Sequence, residues 1–106
     1  MADRKKIQKV LNKSLPTLRP GLDLNEDFLI KLKATEPEVI TDDEHDTIKT
    51  KAPTARVDYL VDLLKRRSKN VFFMFMEVLQ EKDPELYDAV NFFYEEQFPV
   101  TEGKAR

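Results

Sequence analysis

The sequence predicts an all-α fold, a compact antiparallel bundle of six helices, and three observations predict it. Apolar residues recur at i, i+3 and i+4 spacing through most of the chain, and no strand-like alternation competes with them. Prolines and small polar residues stand where helices start and stop. The connections left between them are a few residues long, and 106 residues provide one hydrophobic core with no room for a second.

In the first helix Ile7, Val10, Leu11, Ser14, Leu15 and Leu18 share one face, while Arg4, Lys5, Lys6, Lys9 and Lys13 fall around the rest. Pro16 removes the hydrogen bond its nitrogen would have made to Asn12, which predicts a kink or break near Lys13 to Pro16; Pro20 and Gly21 then end the element. Asn25 caps a second helix with Glu26 and Asp27 in its first turn and Phe28, Leu29 and Leu32 turned inward. Glu36 and Pro37 form the next turn. Thr41 to Glu44 reads as a capping box opening a short third helix, with Val39 and Ile40 anchoring it to the core.

Pro53 suits the first position of a fourth helix whose inner face is Val57, Leu60, Val61 and Leu64 and whose end is the basic run Lys65, Arg66, Arg67. Ser68 or Asn70 restarts the chain into a fifth helix with Phe72, Phe75, Met76 and Leu79 on one stripe; Phe73 and Met74 point elsewhere and are candidate contact residues. Asp83 and Pro84 open a sixth helix whose apolar side is Leu86, Tyr87, Val90, Phe93 and Tyr94. Residues 1–99 are therefore expected to form the domain and residues 100–106, polar and without pattern, a flexible tail or linker.

The net charge of −2 conceals a sorted chain. Residues 1–21 balance at +5, 22–48 at −7, 49–69 at +5 and 70–99 at −6, so successive blocks of one or two helices alternate in sign. Opposed charged faces of that kind attract complementary surfaces.

Chemistry finds little to work with. Without cysteine there is neither a disulfide nor a thiolate metal site, which makes the cytoplasm the default location, and no apolar run is long enough for a secretory signal or a membrane span. His45 is the only histidine and, set among Asp42, Asp43, Glu44 and Asp46, reads as a solvated residue. Ser14 and Ser68 lie in no nucleophile motif, and Gly21 and Gly103 make no phosphate-cradling loop. No enzyme, cofactor, metal or small-molecule substrate is expected. Lys5, Lys6, Lys9, Arg66 and Arg67 raise nucleic-acid binding as a question, but the acidic total and the placing of the aromatics in the acidic final third weigh against it.

The stretch from Arg56 to Leu64 (RVDYLVDLL), the segment Phe75-Met76-Glu77-Val78-Leu79 and the segment Pro84-Glu85-Leu86-Tyr87 together resemble the caspase recruitment domain (CARD) of the death-fold superfamily. Val39 to Glu44 is similar to the start of that family's short third helix, and a kink at Pro16 matches its bent first helix. The likeness runs from Arg4 to Phe98 and is nearest to CARDs of scaffold proteins in which a coiled coil follows, some with a membrane-associated guanylate-kinase (MAGUK) module beyond; death-effector and death domains share the topology.

The resemblance implies a Greek-key arrangement of the six helices and homotypic docking with other CARD-containing proteins or with itself, in oligomers or filaments of apoptotic or innate immune signalling. A monomeric heterotypic adaptor is the alternative. The resemblance places Arg4, Lys5, Lys9, Lys13, Arg56 and Arg66 on a basic face and Asp23, Glu26, Asp27, Asp42, Asp43 and Asp46 on an acidic one.

Overall fold

The computed structural model describes residues 2–99, which form six α-helices and no strand. They are α1 (Ala2–Gly21), α2 (Glu26–Lys33), α3 (Asp42–Lys49), α4 (Pro53–Arg66), α5 (Lys69–Lys82) and α6 (Pro84–Gln97). The expected tail, residues 100–106, lies outside the described residues.

The caps stand where the residue types put them. Asn25 Oδ1 accepts from the Phe28 amide at 2.9 Å. Thr41 Oγ1 accepts from the Glu44 amide at 3.2 Å while Glu44 Oε1 accepts from the Thr41 amide at 2.9 Å, a complete capping box that satisfies two free donors of α3. Pro53 fills the first turn of α4, where no amide is needed. Ser68 is the residue that caps α5, and Asp83 both closes α5 and caps α6 through the Leu86 amide.

Of the kink or break expected near Lys13 to Pro16, the break does not occur: α1 continues through Pro16 to Gly21. Asn12 and Pro16 both lie on the exposed side, where water can take the carbonyl that Pro16 leaves without a donor. Buried Leu11 and Leu18 on either side of Pro16 hold the helix to the core, and Ser14, also buried, closes its own hydroxyl onto the Val10 carbonyl at 2.7 Å.

The layers follow from the contacts. α1 packs along α4 and α6 and touches α5, α5 packs on α6 and α2, and α3 bridges α2 and α4. α4 and α5 therefore stand between α1 on one side and the α2–α3 pair on the other. Phe72, Phe75, Leu60, Leu64, Leu79 and Leu11 fill the centre without solvent contact. Each such side chain contributes about 1.5–3 kcal/mol by leaving water. Phe73 and Met74 are half-buried against this core, and the Phe73 ring meets Tyr94 edge-on at 5.9 Å.

Candidate protein-interaction faces

On α1, Arg4, Lys5 and Lys9 are exposed and have no ionic partner among the described residues. Gln8 Nε2 donates to the Lys65 carbonyl at 3.1 Å, which seats the start of α1 against the end of α4 and brings Arg66 to the same end of the bundle. Arg66 pairs one helical turn back with Asp62 at 3.0 Å, both well exposed, and Lys13 reaches Glu96 of α6 at 3.4 Å. Lys6 and Lys69 stand over the Phe98 ring at 5.3 and 5.2 Å, so the ends of α1, α5 and α6 meet here too.

Arg56, assigned to the same basic face by its charge, has a different task. It lies at the opposite end of α4, half-buried, and its guanidinium donates to three backbone carbonyls: Nε to Lys51 at 2.9 Å, Nη1 to Leu24 at 2.9 Å and Nη2 to Lys49 at 3.1 Å. The planar fork closes the α3–α4 connection onto the segment preceding α2. It is a clamp within the fold, at the end of α4 away from Arg66.

The acidic residues gather on α2 and α3, and most of them are already paired. Glu26 Oε1 lies 3.3 Å from Lys49 Nζ and 3.4 Å from His45 Nε2. Lys49 is the chief cause that holds the Glu26 carboxyl below its ordinary value; partial desolvation opposes it, and His45 acts in the same direction as Lys49. Asp27 pairs with Lys82, Asp42 with Lys33 at 3.1 Å, and Asp23 accepts from the Asn25 amide group at 3.3 Å. Asp43 and Asp46 alone of the six carry exposed carboxylates with no hydrogen bond or cation among the described residues.

His45 corrects the expectation of a solvated side chain. It is 6% exposed, turned inward beside Ile48 and tied to α2 through Glu26. Its position three residues before Ile48 is the signal that placed it on the inner side. The pair Arg67 and Glu44 is a second internal tie: Arg67 also donates to the Val39 carbonyl at 3.0 Å, so the end of α4 locks the start of α3.

Sequence reasoning passed over Ile30. It is 49% exposed on α2, one turn from Glu26 and Asp27, and gives the acidic face an apolar centre. An aliphatic side chain ringed by charge is the arrangement that gains most when a partner excludes water from it. Among the described residues no group of three or more histidines and acids could hold a metal ion, and no helix is long and apolar enough to cross a membrane.

A six-helix bundle bearing separate basic and acidic faces defines a helical interaction module. The family model of the caspase recruitment domain matches residues 35–91, more than half of the chain, and the chain belongs to that family. A CARD is a non-catalytic domain through which proteins bind one another, typically through other CARDs. No curated protein and no solved structure matched the chain.

Proposed function

We propose that this CARD assembles signalling oligomers head to tail, the basic face of α1 and the end of α4 docking on the acidic α2–α3 face of the next molecule. The observation that carries the reading is the set of cations Arg4, Lys5 and Lys9, without ionic partners among the described residues, on the side of the bundle away from α2 and α3. The ion pairs of α1 run to Glu96 and Asp58, so residues 42–46 do not neutralise it. Each exposed pair contributes only about 0–1 kcal/mol, so a single contact is weak and several per molecule are needed. Two different faces meeting do not close on themselves in general, which favours a helical filament.

The module in this reading spans residues 1–99, with 100–106 as linker, and works in the cytoplasm in apoptotic or innate immune signalling. The likeness of the Phe75–Leu79 and Pro84–Tyr87 segments to the coiled-coil and MAGUK-type scaffolds supports a place in that subfamily. The test is the double reversal Asp43→Lys and Asp46→Lys, which leaves every internal ion pair intact. Light scattering at low salt is expected to lose all species above a dimer, while the melting temperature falls only by the small cost of a cation in the first turn of α3. An unchanged size distribution refutes the reading.

The internal pairing of Glu26, Asp27 and Asp42 favours a second reading, an adaptor that binds one partner CARD and stops. Under it, the wild-type elution volume stays monomeric as concentration rises and salt falls.

A further inference from the structure

α1 and α6 lie side by side and antiparallel: Lys6 stands over Phe98, Lys13 reaches Glu96, and Gly21 backs onto the Leu86 side chain. With a rise of about 1.5 Å per residue in each helix, this register sets Pro16 level with Phe92, and Glu95 between the levels of Lys9 and Lys13. The outward faces of the two helices differ in sign. α1 presents Lys5, Lys9 and Pro16, all exposed. α6 presents Glu85, Asp88, Phe92 and Glu95, also exposed. Glu85 and Asp88 have no ionic partner among the described residues, and Glu95 accepts only from the neutral Asn91 amide at 3.3 Å.

Phe92 is 61% exposed and points directly away from the core, with Asp88, Glu95 and Glu96 one turn to either side. A lone exposed apolar side chain is ordinary on a protein surface. Phe92 differs because it stands on one half of a two-stripe surface. A basic stripe beside an acidic stripe matches itself under a twofold rotation about an axis running between the helices. Each α1 then faces the other copy's α6, lysines meet carboxylates, and Phe92 of one copy falls on Pro16 of the other.

We infer that the α1–α6 face docks a second copy of this chain in a closed, isologous dimer anchored by Phe92. The dimer covers Lys5 and Lys9, which the head-to-tail contact needs, so it holds the chain out of open-ended assembly and its dissociation releases it. The inference goes beyond the α2–α3 reading: it shares Lys5 and Lys9 with it and sets them against α6 instead.

The experiment is sedimentation equilibrium of the full 106-residue chain at low salt, in the Asp43→Lys/Asp46→Lys background. A monomer–dimer equilibrium that ends at two chains is expected. Phe92→Ser weakens it about thirtyfold, the loss of one well-seated aromatic anchor, with melting nearly unchanged because the ring is mostly exposed and its ring contact is edge-on to Phe93 at 5.6 Å. Lys9→Glu weakens it about tenfold, and Lys9→Glu with Glu95→Lys in the same chain restores it, since both mates of each contact exchange sign. A head-to-tail contact of α1 on α2–α3 cannot be restored by that swap. Absence of a dimer, an unchanged constant for Phe92→Ser, or no recovery in the swapped chain overturns the inference. Growth past two chains in this background counts against the α2–α3 reading instead, and the Phe92→Ser comparison still decides this one.

Discussion

The first helix, at +5, and residues 22–48 around α2 and α3, at −7, carry comparable charge of opposite sign, and the fold uses it differently. Three of the four α1 residues assigned to the basic face have no ionic partner among the described residues, and the fourth, Lys13, makes a single exposed contact there. Across the bundle, Glu26, Asp27 and Asp42 are each held by a lysine of the same molecule. Charge on α1 is available to a partner, whereas much of the charge on α2–α3 already fastens helices together. A residue's sign therefore does not tell whether it serves the fold or the surface; its partners do.

The comparison breaks most sharply at α1. Lys5→Glu with Lys9→Glu removes two free cations and sets carboxylates against the acidic face, so assembly is expected to fall at least about tenfold. The melting temperature should stay nearly unchanged, since neither side chain has an ionic partner to lose among the described residues. Raising salt on the wild type should reproduce the direction of this loss, because exposed charges are screened over about 10 Å at 0.1 M. A drop in melting temperature together with assembly would show that α1 charge, like that of α2, belongs to the fold.

Arg56 gives the opposite outcome. Arg56→Ala removes three charge-assisted hydrogen bonds to carbonyls of Leu24, Lys49 and Lys51. The loss is expected at about 2 kcal/mol, lowering the melting midpoint by roughly 8–16 °C in circular dichroism. Were Arg56 a docking residue alone, the midpoint would hold and only association would weaken.

Most of the fold was legible because its signals are local. Asn25, Thr41, Ser68 and Asp83 each cap the helix that follows by reaching an amide three residues on, so residue type and spacing suffice. The inner stripes were legible for the same reason: a 3.6-residue period marks a face of a helix without knowledge of its neighbours. Long-range partners leave no such trace. Arg56 binds backbone carbonyls 5 to 32 positions away, a role within the fold that no side-chain pattern records. His45 looked solvated among its sequence neighbours because four acids flank it, yet its ring is turned inward beside Ile48. Pro16 was expected to kink or break α1 from its own chemistry; the buried leucines to either side, on a helix that packs on α4 and α6, keep it from breaking.

The smallest expected effect sharpens the comparison from the acidic side. Lys49 lowers the Glu26 carboxyl from its ordinary value of 4.5, so the folded chain holds the ionised form more tightly than the unfolded chain does. A lowered acid contributes stability that is fully present above the unfolded value and is lost as pH falls through the folded one. The melting temperature of the wild type should therefore exceed that of Glu26→Gln near pH 6, and the two should converge as pH drops to about 3. The gap is expected to be small, because Glu26 is half exposed and solvent screens the pair, and it should shrink further in high salt. A gap of equal size at both pH values would mean that the carboxylate charge does not fasten α2 to α3. Glu26 would then be as free for a partner as Asp43 and Asp46, and the two faces of the bundle would differ in sign alone.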